Sequence, residues 1–283
     1  MGIKVSVIMP CYNDGAYIEE AIDSLCLPEQ PDVELIIIDD GSDDGRTADI
    51  LESLSGERIR VLHTAHVGPS GARNEGIRQA AGRYILPLDA DDRIETAYIG
   101  RAKEILERDS AVGAVYCHAD LFGERRGRWD LPEYSFERML VENLVFVTAM
   151  FRKADWEAVG GFRTDMKEGM EDYDFFIGIL ALGKTIVQLP ETYFHYRIKT
   201  KSRTTGFLSD PAAVRRAYQR IYEHHEAFFR EHALAYESAL RSEMIQQKYE
   251  KEQVLRSLGW LNRLRQMEPL KRMVKRLLRK GTN

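Results

Sequence analysis

Cysteine is scarce in this chain, and so are long apolar runs. Three cysteines (Cys11, Cys26 and Cys117) in 283 residues are too few, and odd in number, for a disulfide framework. A reduced, cytosolic compartment is the expectation. No apolar stretch approaches the roughly 18 residues that a membrane-spanning helix needs. The N-terminus runs straight into a strand pattern with no charged leader or apolar signal, which again points to a cytoplasmic protein. Internal repeats and low-complexity tracts are lacking as well. What is present is ordinary globular usage, 44% hydrophobic and 30% charged residues, enough for one large domain with an appendage. The net charge of −5 excludes general affinity for nucleic acid, but it hides an asymmetry. Residues 251–283 hold ten Lys and Arg against two Glu, a local +8 that leaves −13 for residues 1–250. An acidic body with a basic tail suggests a tail that touches something anionic.

Short apolar runs that stop at turn residues punctuate the first 120 positions. Val5–Met9, ended by Pro10, reads as a buried strand, as do Val33–Ile38, Ile59–Leu62, Tyr84–Leu88 and Val112–Cys117. Helical stretches fall between them. One of these is residues 16–26, which place Ile18, Ala21, Ile22 and Leu25 on one face. Strands alternating with helices predict an α/β fold with a doubly wound, mostly parallel sheet. In such sheets ligands bind beyond the carboxyl ends of the strands. Three polar clusters fall there: Pro10–Asp14, Asp39–Asp40 and Asp89–Asp92. From Asp210 the chain turns helical, with Val214, Tyr218, Ile221 and Tyr222 on one face, which with Phe228 and Phe229 suggest packing on the α/β body. The expected division is an α/β domain over 1–207 and a helical C-terminal extension over 208–283.

The Asp89-Ala90-Asp91 spacing sets two carboxylates beside a turn at a strand end. Like charges so close raise each other's pKa unless a cation is present. Hard oxygen ligands suit Mg²⁺ or Mn²⁺, which commonly bridge a carboxylate to substrate phosphates. Glu171-Asp172-Tyr173-Asp174 opens an apolar helical segment, where acidic residues also suit the helix dipole.

These segments together resemble the family 2 glycosyltransferases, which have the GT-A fold. The resemblance rests on Val5-Ser6-Val7-Ile8-Met9-Pro10-Cys11-Tyr12-Asn13, Ile38-Asp39-Asp40-Gly41-Ser42, Gly71-Ala72-Arg73-Asn74-Glu75-Gly76, Leu88-Asp89-Ala90-Asp91-Asp92, Gly160-Gly161-Phe162 and Glu171-Asp172-Tyr173-Asp174. It implies that Pro10 and Tyr12 line a nucleoside pocket, that Asp40 accepts a hydrogen bond from a uracil or thymine N3–H, and that Asp89 contacts the ribose. Asp91 would bind Mn²⁺ or Mg²⁺ on the diphosphate of a nucleotide-sugar donor, with Arg73 and Arg197 supporting the phosphates. Asn74 is a further candidate there. Asp172 would be the base of an inverting transfer, with Glu171 binding the acceptor or orienting the base. Many relatives carry a His two residues after the Arg at position 197, and here that position is Lys199. Arg197 and Lys199 are therefore candidates to meet the diphosphate themselves, and His195 reads as a strand residue. Trp129, Trp156 and Tyr173 are candidates either for stacking on acceptor sugars or for packing.

The implied reaction moves a sugar, most simply from a UDP-sugar, to a hydroxyl of a glycan or lipid-linked saccharide in surface polysaccharide synthesis. Two other readings stay open. A sugar nucleotidyltransferase would show a Gly- and Arg/Lys-rich loop directly after the first strand, where this chain has Pro10-Cys11-Tyr12-Asn13. An inactive glycan-binding or scaffold protein would have no need of Asp40, Asp89, Asp91 and Asp172. In the tail, Leu270, Met273, Val274, Leu277 and Leu278 form one apolar stripe among basic residues, with Trp260, Leu261 and Leu264 extending it upstream. The stripe either lies on an anionic membrane or packs on the protein body or a second subunit.

Overall fold

A computed structural model describes residues 2–54, 56–200 and 203–266. The strands are β1 (Val5–Cys11), β2 (Val33–Asp39), β3 (Ile59–His63), β4 (Tyr84–Pro87), β5 (Arg93–Ile94), β6 (Val112–Gly123), β7 (Gly127–Arg128), β8 (Met150–Arg152) and β9 (Thr185–Ile198). The α-helices are α1 (Ile18–Ser24), α2 (Arg46–Ser53), α3 (Gly68–Gln79), α4 (Ala97–Arg108), α5 (Phe136–Met139), α6 (Lys153–Val159), α7 (Glu171–Ala181), α8 (Arg203–Leu208), α9 (Pro211–His224), α10 (Glu226–Glu231) and α11 (Ala233–Gln266).

One sheet runs in the order β3-β2-β1-β4-β8-β6-β9-β5, with β7 paired to β6. The first four strands of that order are mutually parallel, β8 is antiparallel to both neighbours, and β6 and β9 are parallel again. The α/β, mostly parallel sheet expected from the alternating pattern is present. β1 and β2 are buried along almost their whole length, as their continuous β-branched runs require. β9 pairs with β6 at eleven positions and skips Pro190 and Glu191, where the ladder shifts register. Proline has no N–H to donate, and the irregularity admits it.

Contacts divide the chain into two compact units, one ending at Glu231 and a second beginning at His232. The expected line at 207/208 falls inside the first unit. There α9 buries Ala213, Ala217 and Ile221, while Tyr218 and Tyr222 are exposed. This corrects the expected face: small alanines let the helix approach α7 closely, and Tyr218 reaches only the edge of Tyr173, 5.9 Å between ring centroids. In the second unit α11 is 34 residues long. No described helix is long and apolar enough to cross a membrane. The apolar stripe from Leu270 to Leu278 and its basic face lie outside the described residues, as do the side chains of Trp260, Leu261 and Leu264.

Candidate active site

The sheet edge where β1, β2 and β4 end collects the three polar clusters. Just past β1, after Pro10 and Cys11, Tyr12 is 41% exposed, and its ring centroid lies 4.3 Å from that of His66. The two rings form an aromatic ledge next to Asp40, whose carbonyl faces His66 Nδ1 at 3.1 Å. No pattern in the sequence singled out His66. It has φ +56°, and Asn13 (+58°) and Met170 (+65°) share this left-handed conformation. Backbone strain of this kind concentrates at functional edges.

Asp40 is only 3% exposed. Its Oδ1 accepts from the Thr64 hydroxyl and the Val67 N–H, both at 2.7 Å, and its Oδ2 accepts from the Gly68 N–H at 2.8 Å. The carboxylate therefore anchors the start of α3. Each carboxylate oxygen has two acceptor positions, so one remains on Oδ2.

Arg73, on the buried side of α3, has a side chain only 4% exposed. Its guanidinium donates to Asp89 Oδ1 at 2.7 Å and to Glu171 Oε1 at 3.1 Å. One side chain thus ties the end of β4 to the start of α7. These two carboxylates take one N–H from each terminal nitrogen of the guanidinium that the resemblance assigns to phosphates. Although burial alone would lower the Arg73 pKa, Asp89 and Glu171 raise it overall, so it stays charged. Asn74 does not point at the clusters. Its amide spans Phe162 N and O and the Trp156 indole N–H, which fixes the Gly160-Gly161-Phe162 turn. Trp156 and Tyr173 are buried, and the Tyr173 hydroxyl donates to Met139 O at 2.9 Å. Both therefore pack rather than offer a face to a sugar. Trp129 is half-buried, 5.0 Å from the Tyr196 ring.

Asp172 sits in the first turn of α7 and is half-buried as a residue. Its Oδ1 accepts from the Tyr173 N–H at 2.8 Å and from Asn143 Nδ2 at 3.2 Å, and among the described residues no donor meets its Oδ2. Burial, together with the neighbouring Glu171 charge, pushes its pKa up to about 6, against the opposing pull of those hydrogen bonds and Arg73. At neutral pH such a group is ionised yet basic enough to take a proton.

The Asp89–Asp92 loop is met by the end of β9. Asp92 is buried and accepts from the Arg197 N–H at 2.7 Å, and the Arg197 guanidinium donates to the Asp91 carbonyl and pairs with Glu20. Arg197 also lies over the rings of Phe122 and Tyr17 at 4.2 and 4.7 Å. Its charge clamps the loop from behind. Lys199, two residues on, places Nζ 2.6 Å from Asp91 Oδ2 and 3.0 Å from Asp14 Oδ1. Burial raises the Asp91 pKa in spite of the ammonium, and the two carboxylates raise that of Lys199 despite its burial. His195 is held in the sheet between Asp120 and Glu95, at 2.6 and 3.0 Å.

The donor set around Asp91 does not suit the expected Mn²⁺ or Mg²⁺. Asp89 is held by Arg73, Asp92 faces a backbone N–H, and the Asp91 carboxylate already carries an ammonium. Among the described residues no three His, Cys, Asp or Glu side chains gather as ligands.

The profile of a family described as Glycosyl transferase family 2 matches residues 6–184. An uncharacterized glycosyltransferase, EpsJ, of Bacillus subtilis is 43% identical over 107 residues, covering 37% of this chain and 31% of the relative. A chondroitin synthase of Pasteurella multocida is 28% identical over 186 residues, 64% of this chain and 19% of the synthase. The chain thus spans less than a third of the length of these two relatives. Among solved structures, S. aureus TarS 1-349 in complex with UDP superposes with a TM-score of 0.57 at 24% identity, over 70% of this chain and 61% of that one. Its complex with UDP-GlcNAc gives 0.58 at 20% identity, over 84% and 80%.

Proposed function

The chain belongs to glycosyl transferase family 2, and from that premise we propose that it transfers a sugar, with inversion, from a UDP-sugar to a hydroxyl of a glycan or lipid-linked saccharide in surface polysaccharide synthesis. The observation that carries this reading is Asp172. Its Oδ2 has no hydrogen-bond donor among the described residues, its carboxyl pKa is raised to about 6, and the Glu171–Arg73–Asp89 ion pairs join its helix to the loop after β4. In the proposed step Asp172 Oδ2 takes the acceptor hydroxyl proton as that oxygen attacks C1 of the sugar. The bond from C1 to the diphosphate oxygen breaks, and UDP leaves with the bonding pair. Glu171 holds Arg73, and through it the spacing between base and donor. Pro10 and Tyr12, with His66, flank the nucleoside, and Asp89 keeps one oxygen free for the ribose. The remaining acceptor position on Asp40 Oδ2 takes the N3–H of uracil. No divalent ion enters this reading, because Lys199 holds the Asp91 carboxylate. The basic tail is proposed to dock on an anionic membrane near a lipid-linked acceptor.

The test is a panel of nucleotide sugars, with nucleoside diphosphate release as readout and the anomeric configuration of the product read by NMR. UDP-sugars should be turned over and the product should be inverted. Pyrophosphate release, or a retained configuration, would overturn the reading.

A further inference from the structure

Four carboxylates crowd the donor side of the site, at Asp14, Asp89, Asp91 and Asp92. Among the described residues three cations lie near them, and two do not reach the Asp91 carboxylate. Arg73 is shared between Asp89 and Glu171, and Arg197 faces a main-chain carbonyl and Glu20. Of the three, Lys199 alone places its charge on the Asp91 carboxylate, and it does so while also holding Asp14. We propose that Lys199 acts as this enzyme's built-in counter-ion for the donor diphosphate, so that donor binding and transfer need no divalent metal. The inference rests on the glycosyltransferase reading above.

Three features support it. First, the ammonium is placed by rigid parts. β9 pairs with β6 as far as Ile198, whose carbonyl accepts the Glu124 N–H at 3.1 Å, and the Arg197 backbone is tied to Asp92. The stem of Lys199 therefore leaves the sheet from a fixed point. Second, Lys199 Nζ has three N–H donors and two carboxylate partners among the described residues, with the Tyr17 ring centroid 5.3 Å away, so one N–H is not taken by a carboxylate and can serve a phosphate oxygen. Third, a divalent ion on Asp91 Oδ2 would sit against a like charge already at hydrogen-bond distance from that oxygen. The ion would have to displace Lys199, while Asp89 Oδ1 is held by Arg73 and Asp92 is buried against the Arg197 N–H. A lysine is a compact point charge suited to phosphate, and it brings none of the geometric demand of Mg²⁺.

The experiment uses the full chain stripped of metal with a chelator. UDP binding is measured by calorimetry with and without added Mn²⁺, and Mn²⁺ uptake is followed by the EPR signal of the free ion. Wild type should bind UDP equally well in both conditions and leave the Mn²⁺ signal unchanged. Lys199→Met keeps the stem but removes the charge. It should weaken metal-free UDP binding by about tenfold or more, the worth of a charge-assisted hydrogen bond. Lys199→Arg should restore metal-free binding, which a purely structural role for the lysine stem would not predict of the charge. If wild type binds UDP only with Mn²⁺ and takes up the ion, the inference is wrong. It is equally wrong if a folded Lys199→Met binds UDP as tightly as wild type without metal. Failure of wild type to bind UDP in either condition would overturn the donor reading, and this inference with it.

Discussion

In the proposed mechanism a single carboxyl group, that of Asp172, links protonation, catalysis and stability. With its carboxyl near 6, kcat/KM should climb about tenfold per pH unit below that value and level off above it, because only the ionised form accepts a proton. A profile flat between about pH 5 and pH 8, with chemistry rate-limiting, would remove Asp172 from the role. Asp172→Asn should cut transfer by roughly 10²- to 10⁴-fold while UDP binding stays near wild type. The sign for stability is the reverse of the usual carboxylate case. The folded-state value lies above the unfolded one, so the folded protein takes up the proton first and gains stability as pH falls through 6. Above pH 6 the charged group costs stability. Asn removes that charge and can still accept the Tyr173 N–H, so Asp172→Asn should melt higher than wild type at neutral pH. A lower melting temperature would show that the Asn143 contact outweighs the burial of charge.

At the scale of elements, α3 shows how a short motif is written by packing. Its Gly76 faces the sheet, and a Cβ there would come within 2.5 Å of Ile38 Cδ1 and 2.9 Å of Ile8 Cγ2. Gly76→Ala improves helix propensity by up to about 1 kcal/mol, but overpacking typically costs about 1–3 kcal/mol. The substitution should therefore destabilise the protein in urea unfolding; a gain in stability would mean that α3 moves freely off β1 and β2. Much of this half was legible in the sequence. Apolar runs named β1, β2 and β4, and turn clusters named the binding edge, because both signals are local. The partnerships were not legible. Asp40, expected to read a base, also anchors a helix that begins 28 residues later. Arg73 meets Glu171 across 98 residues, and Lys199 meets Asp14 across 185. No periodicity encodes pairs so distant. β8, at three residues, is too short to announce itself, and Pro190 disguised β9 as something other than one long strand.

For the whole molecule the balance of charge matters most. Residues 251–283 carry +8 against −13 for the rest, so an anionic surface would attract the tail and repel the body. Each Lys or Arg close to such a surface contributes roughly 1 kcal/mol. The full chain should co-sediment with anionic vesicles at low salt, and a chain ending at Gln266 should not. Equal sedimentation of the two would assign the tail to self-association or to the protein's own body. Arg73 has a consequence that reaches beyond its own contacts. Because one guanidinium serves both Asp89 and Glu171, the proposed nucleotide side and the proposed acceptor side are not separate traits on which variation can act independently. In a library of variants, Asp89, Arg73 and Glu171 would behave as a single locus. The first loss removes most of what the three provide, later losses add little, and a substitution made in one motif is felt as a defect of the other.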